Sequence, residues 1–167
     1  MNYQITKITE HHIDGYAQAF NSVAKELRYL AYFEGLSRAT TVEYVRQNIA
    51  ENWPHFVALD GAKVIGWCDI SSLDRPVFEH AGVLSLGIIC ECRGKGVGKS
   101  LLTAALQAAK ERGLSRVELT VRELNPIAIK LYEYAGFVKE GLHIKAVKIN
   151  GQYENHFSMA LLIPEND

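Results

Sequence analysis

Residues 83–100 read VLSLGIICECRGKGVGKS, an apolar run that passes through a glycine loop into a helical pattern. Val83 to Cys90 is nearly unbroken in apolar residues, as expected of a central strand covered on both faces. From Val97 the pattern turns helical: Val97, Leu101, Leu102, Ala105, Leu106 and Ala109 share one face, with Lys99, Thr103, Gln107 and Lys110 on the other. Gly113 is placed to end this helix at about Arg112. Between strand and helix lies Arg93-Gly94-Lys95-Gly96-Val97-Gly98-Lys99-Ser100. A glycine loop that opens a helix gathers backbone N–H groups where an anion can approach closely. Arg93, Lys95 and Lys99 add local positive charge, so the loop predicts a phosphate-bearing ligand.

Spacing separates the phosphate loops that could occupy this place. A Walker A loop ending in Gly98-Lys99-Ser100 needs a glycine at the position of Arg93. A dinucleotide fingerprint begun at Gly94 would end on Lys99, and one begun at Gly96 on Leu101. Both patterns fail, leaving Arg93-x-x-Gly96-x-Gly98.

Outward from this stretch the chain reads as β-α-α-β-β-β-α-β-α-β-β. Tyr3, Ile5 and Ile8 suggest a first strand. Ile13, Tyr16, Ala17, Phe20, Val23, Ala24 and Leu27 recur at helical spacing, as do Val42, Val45 and Ile49 after the capping candidates Thr40 and Thr41. Phe56–Leu59 and Val64–Ile70 flank Asp60-Gly61-Ala62-Lys63, a hairpin signal. Arg116–Arg122 alternates as a strand, and Asn125-Pro126 supplies an N-cap and a first-turn proline for a short helix that ends at Gly136. Phe137–Leu142 and His156–Leu162 close the sheet around an Asn150-Gly151 turn. The fold class is α/β (α+β) with a mixed sheet. Without repeats or Pro/Gly-rich linkers, residues 1–167 are expected to form one domain.

A net charge of -1 with 22% charged residues gives no surface field of one sign, so neither nucleic acid nor membrane is an expected partner. The N-terminal residues lack a signal-peptide layout, and no apolar run approaches the roughly 18 residues of a membrane span. A cytoplasmic protein is expected. Cys68, Cys90 and Cys92 are odd in number and read as reduced thiols; one spacer between the last two is too few for a redox or zinc pair, and no metal is expected. His11 and His12, adjacent in sequence, read as surface or capping residues.

Arg93-x-x-Gly96-x-Gly98, followed at the right separation by Asn125-Pro126-x-Ala128-x-x-x-Tyr132-x-x-x-Gly136-Phe137, resembles the GNAT superfamily of acetyl-CoA-dependent N-acetyltransferases. The likeness is clearest over Val83–Leu142. It implies a GNAT fold, with a mixed central sheet splayed between the fourth and fifth strands and flanked by helices. It also implies that the strands part at a bulge and that the pantetheine arm of acetyl-CoA lies along Leu86, Gly87, Ile88 and Ile89. The phosphates would then meet Arg93, Gly94, Lys95, Gly96, Val97, Gly98, Lys99 and Ser100; Asn125 would cap the short helix, contact the pantetheine, or do both, Ala128 would border the cofactor, and Tyr132 would stand at the thioester. Where family members often carry a proline and an aromatic residue before the loop, this chain has Cys90-Glu91-Cys92.

The implied reaction is direct transfer of acetyl to a primary amine of a small molecule, an amino acid or a protein N-terminus. A backbone N–H near Ile88 would polarise the carbonyl, and Tyr132 would protonate the departing sulfur. The sequence shows no nucleophile set beside a histidine for a covalent route. For the base, Glu26, Glu34, Asp69, Glu79 and His80 are candidates, the Glu79-His80 pair first and Glu34 next; Tyr29, Tyr32 and Phe33 beside Glu34 could hold a substrate. The competing reading is a non-catalytic acyl-CoA sensor of the same fold. Homodimers are common in the superfamily, and the sequence is compatible with one.

Overall fold

Two tight turns frame the sheet. In the computed structural model, which describes residues 2–32 and 34–164, Gly61 and Gly151 close them at φ of 59° and 80°, a region that glycine enters without steric cost. Seven strands and four helices are arranged as β1 (Gln4–Lys7), α1 (Ile13–Ala24), α2 (Arg38–Ala50), β2 (His55–Asp60), β3 (Lys63–Ser71), β4 (Ala81–Ile88), α3 (Val97–Arg112), β5 (Arg116–Arg122), α4 (Pro126–Tyr134), β6 (Val138–Ile149) and β7 (Gln152–Leu162). The order is the one read from the sequence. The strands form one mixed sheet, β1-β2-β3-β4-β5-β7-β6. Among the described residues only β4 and β5 run parallel, joined by a crossover through α3.

Helices cover both faces. On one, the fully buried Trp67 packs against Tyr16 and Phe20 of α1, with ring centroids 5.8 and 5.3 Å apart. Successive side chains of β3 alternate, so Gly66 and Cys68 face the opposite layer, where Leu101 of α3 packs over Gly66.

Some boundaries differ from the sequence reading. The cap of α2 is Ser37, whose Oγ accepts the Thr40 N–H at 3.1 Å; Thr41 is buried and donates its hydroxyl to the Ser37 carbonyl. Helix α1 stops at Ala24, and Leu27 beyond it takes φ of 55°. Strands β6 and β7 are longer than expected. As the sheet edge, β6 is exposed along most of its length. His12 does cap: its Nδ1 accepts the Thr9 N–H at 3.1 Å.

The feature that positions the site is the gap between the parallel strands. β4 and β5 pair only from Ala81–Val83 to Arg116–Glu118. Beyond Val83 they part, while β4 stays paired with β3 as far as Ile88. The expected bulge is absent from that pairing, since the register runs unbroken from Ser71↔Val83 to Gly66↔Ile88. The gap opens by divergence of two strands, without an inserted residue.

Candidate active site

A cavity of about 540 Å³ fills the gap between β4 and β5. Its floor follows from ladder parity. The Ile89 N–H donates to the Ile65 carbonyl of β3, so Gly87 and Ser85 also turn their backbone groups to β3, and Leu86 and Ile88 turn theirs to the gap. The Ile88 carbonyl is taken by Arg93 Nε at 2.9 Å. The N–H groups of Leu86 and Ile88 therefore face a space where β5 no longer supplies acceptors.

One end of the cavity is the start of α3. Gly94 and Gly96 adopt φ of 72° and 82°, which turns the loop into the helix. The first helical bond there runs from Ser100 N–H to the Gly96 carbonyl, leaving the N–H groups of Val97, Gly98 and Lys99 without helical partners. Such a cluster, at the positive end of a helix of 16 residues, can bind an anion. Lys99 also lines the cavity, its Nζ donating to Tyr134 Oη at 3.2 Å and lying 4.5 Å from that ring's centroid.

Arg93, expected to meet the phosphates, is engaged by protein groups. Its guanidinium donates to both carboxylate oxygens of Glu26, at 2.8 and 2.6 Å, and stacks 4.5 Å from the Tyr29 ring centroid. Hydrogen bonding to Glu26 raises the Arg93 pKa and secures its charge. Arg93 thus ties the segment after α1 to the end of β4. Arg122 does the same from β5, with two 2.7 Å bonds to the Leu27 and Leu30 carbonyls. One arginine from each side of the gap holds the α1–α2 segment across it.

Tyr132 enters from the other face. It is buried on α4, and among the described residues its hydroxyl has no hydrogen-bond partner. Burial raises its pKa, with the Cys68 thiol adding to the effect, so the phenol keeps its proton. Asn125 caps α4, its Oδ1 accepting the Ala128 N–H at 3.2 Å. Such an arrangement offers an anion nest, a file of unpaired amides and a protonated phenol in sequence along one groove.

Of the expected site residues, Leu86, Gly87, Ile88, Arg93, Gly94, Gly96, Val97, Gly98, Lys99, Asn125, Ala128 and Tyr132 line the cavity, together with Tyr29 and Tyr32. Ile89 packs in the core, Lys95 donates to the Glu91 carbonyl, and Ser100 shares a hydrogen bond with Tyr3. Glu34 lies outside the lining. Glu79 and His80 stand at the paired end of β4, where the His80 carbonyl accepts from Ser115 and Arg116, away from the gap. Asp69 is fully buried and bonded to Tyr44. The lining residues that sequence reasoning missed include Ser85, Thr120, Arg122, Val147 and His156. Arg122 and His156 sit on neighbouring strands at the same level, a pairing of distant residues that only the sheet register reveals. Among the described residues no group of three His, Cys, Asp or Glu could hold a metal ion, and no helix is long and apolar enough to cross a membrane.

A splayed parallel pair with a helix N-terminus at its open end defines a class, and comparison with known proteins identifies it. The model of the acetyltransferase (GNAT) family matches residues 22–137, and the chain belongs to that family. The solved GNAT-family acetyltransferase of Streptococcus pneumoniae superposes with a TM-score of 0.90 at 24% identity, covering 97% of this chain and all (100%) of that one. A GNAT superfamily phosphinothricin acetyltransferase from Sinorhizobium meliloti, solved in complex with acetyl-CoA, gives 0.91 at 20% identity, over 98% of this chain and 89% of that one. In sequence the chain is 28% identical over 130 residues to N-alpha-acetyltransferase 30 of Xenopus laevis; the match covers 68% of this chain and 47% of that protein. It spans about half the length of that relative.

Proposed function

We propose that this chain transfers the acetyl group of acetyl-CoA directly to a primary amine, of a small molecule, an amino acid or a protein N-terminus, in a cytoplasmic setting. One observation carries the reading: the gap between β4 and β5 runs continuously from the free N–H groups of α3 to the protonated hydroxyl of Tyr132. Acetyl-CoA has its charge and its reactive bond at the two ends of a flexible arm, and the groove matches that order. The three thiols, none in a disulfide, suit a reducing compartment.

In this mechanism the Val97, Gly98 and Lys99 amides and the Lys99 ammonium hold the pyrophosphate. The Leu86 and Ile88 N–H groups bond the pantetheine arm and polarise the thioester carbonyl. The amine attacks that carbonyl carbon, the C–S bond breaks, and Tyr132 gives its proton to the sulfur. The α1–α2 segment, with Tyr29 and Tyr32, forms the wall on the acceptor side.

A thiol-release assay with acetyl-CoA and a broad panel of primary amines tests this reading. At least one amine is expected to raise thiol release well above the hydrolysis background, with acetylated amine as product. Tight acetyl-CoA binding with release at background for every amine would support the non-catalytic sensor instead.

A further inference from the structure

Direct acylation leaves the amine nitrogen with a proton to lose, and the cavity narrows the choice of acceptor. Among the described residues lining it there is no Asp or Glu. Arg93, Lys99 and Arg122 are cations with nothing to accept, and the phenol of Tyr132 is kept protonated. Among the described lining residues His156 is the one histidine, the residue type that ordinarily exchanges a proton near neutrality.

Its place in the sheet suits the task. His156 is the cross-strand partner of Arg122, so their side chains emerge on one face, and Arg122 shows which: it reaches the carbonyls of the α1–α2 segment. Tyr132 lies beside Cys68, which faces the other layer. His156 and Tyr132 therefore flank the gap from opposite faces of the sheet. An acceptor entering past the α1–α2 segment meets His156 on its own side and the thioester sulfur on the far side. Neither ring nitrogen of His156 has a hydrogen-bond partner among the described residues; its T-shaped neighbour His143, at 4.8 Å between ring centroids, is bonded to Ser158 instead.

Resting on the acetyl-transfer reading, we propose that His156 is the general base that removes the proton from the acceptor amine. The nitrogen lone pair forms the N–C bond to the acetyl carbon, and the nitrogen's proton passes to the imidazole of His156. The C–S electron pair stays on sulfur, which takes the Tyr132 proton, and solvent returns Tyr132 and His156 to their starting states. Products are the amide and free CoA thiol. The charged and titratable groups around His156 are Arg122 of β5, His143 of β6, and Glu154 of β7, which is 3.4 Å from Arg122. Partial burial first, then the charge of His143, lowers the His156 pKa, which keeps the imidazole neutral and able to accept at neutral pH.

The test uses the amine found by thiol release and the His156→Gln, His156→Ala and His143→Ala variants. Replacing His156 is expected to leave acetyl-CoA affinity within about twofold and to lower kcat at neutral pH by roughly 10²-fold or more, the lower end of general-base effects. The acidic limb that His156 gives to the pH–kcat profile should vanish, and added imidazole should restore part of the His156→Ala rate. In His143→Ala the limb should move to higher pH, because a charge that lowers the His156 pKa is gone. Folded His156 variants that keep kcat within about threefold, with an unmoved limb, would overturn the proposal while leaving acetyl transfer intact. If neither variant folds, an unmoved limb in His143→Ala overturns it. A wild-type chain that releases no thiol with any amine overturns the acetyl-transfer reading and this proposal together.

Discussion

Gly87 lies on the ring of Trp67: a Cβ placed on Gly87 would stand 2.1 Å from Trp67 Cη2. Trp67 is fully buried against α1, so it has nowhere to retreat. Gly87→Ala should therefore cost about 1–3 kcal/mol by overpacking and shift β4 in the middle of the gap. Urea unfolding reads the first effect, and a weaker acetyl-CoA affinity reads the second. Combining Gly87→Ala with Trp67→Phe should recover part of the loss, a coupling that a double-mutant cycle measures. Additive losses would mean that the two residues do not bear on each other.

Tyr132→Phe keeps the ring in its packed position beside Phe137, with centroids 5.7 Å apart, and removes only the hydroxyl. Turnover should fall by roughly 10²-fold or more while acetyl-CoA binding changes little, as expected when an acid acts in the transition state. Single-turnover kinetics beside equilibrium titration separates the two. Equal turnover in the variant would remove the acid role from Tyr132.

Arg122→Lys replaces a fork that grips two carbonyls with a single point charge. The α1–α2 segment should loosen, raising the acceptor KM several-fold with a smaller change for acetyl-CoA. Faster hydrogen exchange in the segment around residues 27–31 would accompany the kinetic change. Unaltered exchange would contradict the clasp.

Asp69 and His55 are cross-strand partners buried on the face covered by α1 and α2, and they titrate in opposite senses. Burial raises the Asp69 carboxyl from 3.8 to about 7, against the hydroxyl of Tyr44 that bonds it. Between those pH values the folded form holds a proton that the unfolded chain has lost, so stability falls as pH rises. Burial lowers His55 from 6.5 to about 3, so there the unfolded chain binds the extra proton and stability falls as pH drops. In Asp69→Asn only the second slope remains. Unfolding free energy should then rise with pH from about 4 to about 6.5, the ordinary carboxylate and imidazole ranges, where the parent curve is flatter. A variant with the parent's pH dependence would show that Asp69 is ionised throughout.

The element order and the donor end of the site were legible because their signals are local. Val83–Cys90 is apolar throughout, Gly94 and Gly96 sit where positive φ is needed, and Asn125 caps the helix that carries Tyr132. The acceptor side was illegible for the opposite reason. His156 approaches the cavity through three strands in register, β5, β7 and β6, and no spacing along the chain encodes that. The ion pair of Arg93 is not legible in the loop's sequence, because its partner Glu26 lies 67 residues away. The length of β6 escaped because its pairing with β7 shifts register twice and Lys145 takes φ of 53°, irregularities that no strand pattern in the sequence announces. Glu79 and His80 looked well placed only because the sequence does not say at which end the strands part.

Acetyl-CoA is expected to occupy the gap between β4 and β5. Amide chemical shifts of the labelled protein, followed as acetyl-CoA is added, test it most directly. The largest changes are expected at Leu86, Ile88 and Gly94–Ser100, with further changes from Asn125 to Tyr132, and little change along β1 and β2. Saturating shifts clustered elsewhere, or none at millimolar acetyl-CoA, would contradict it.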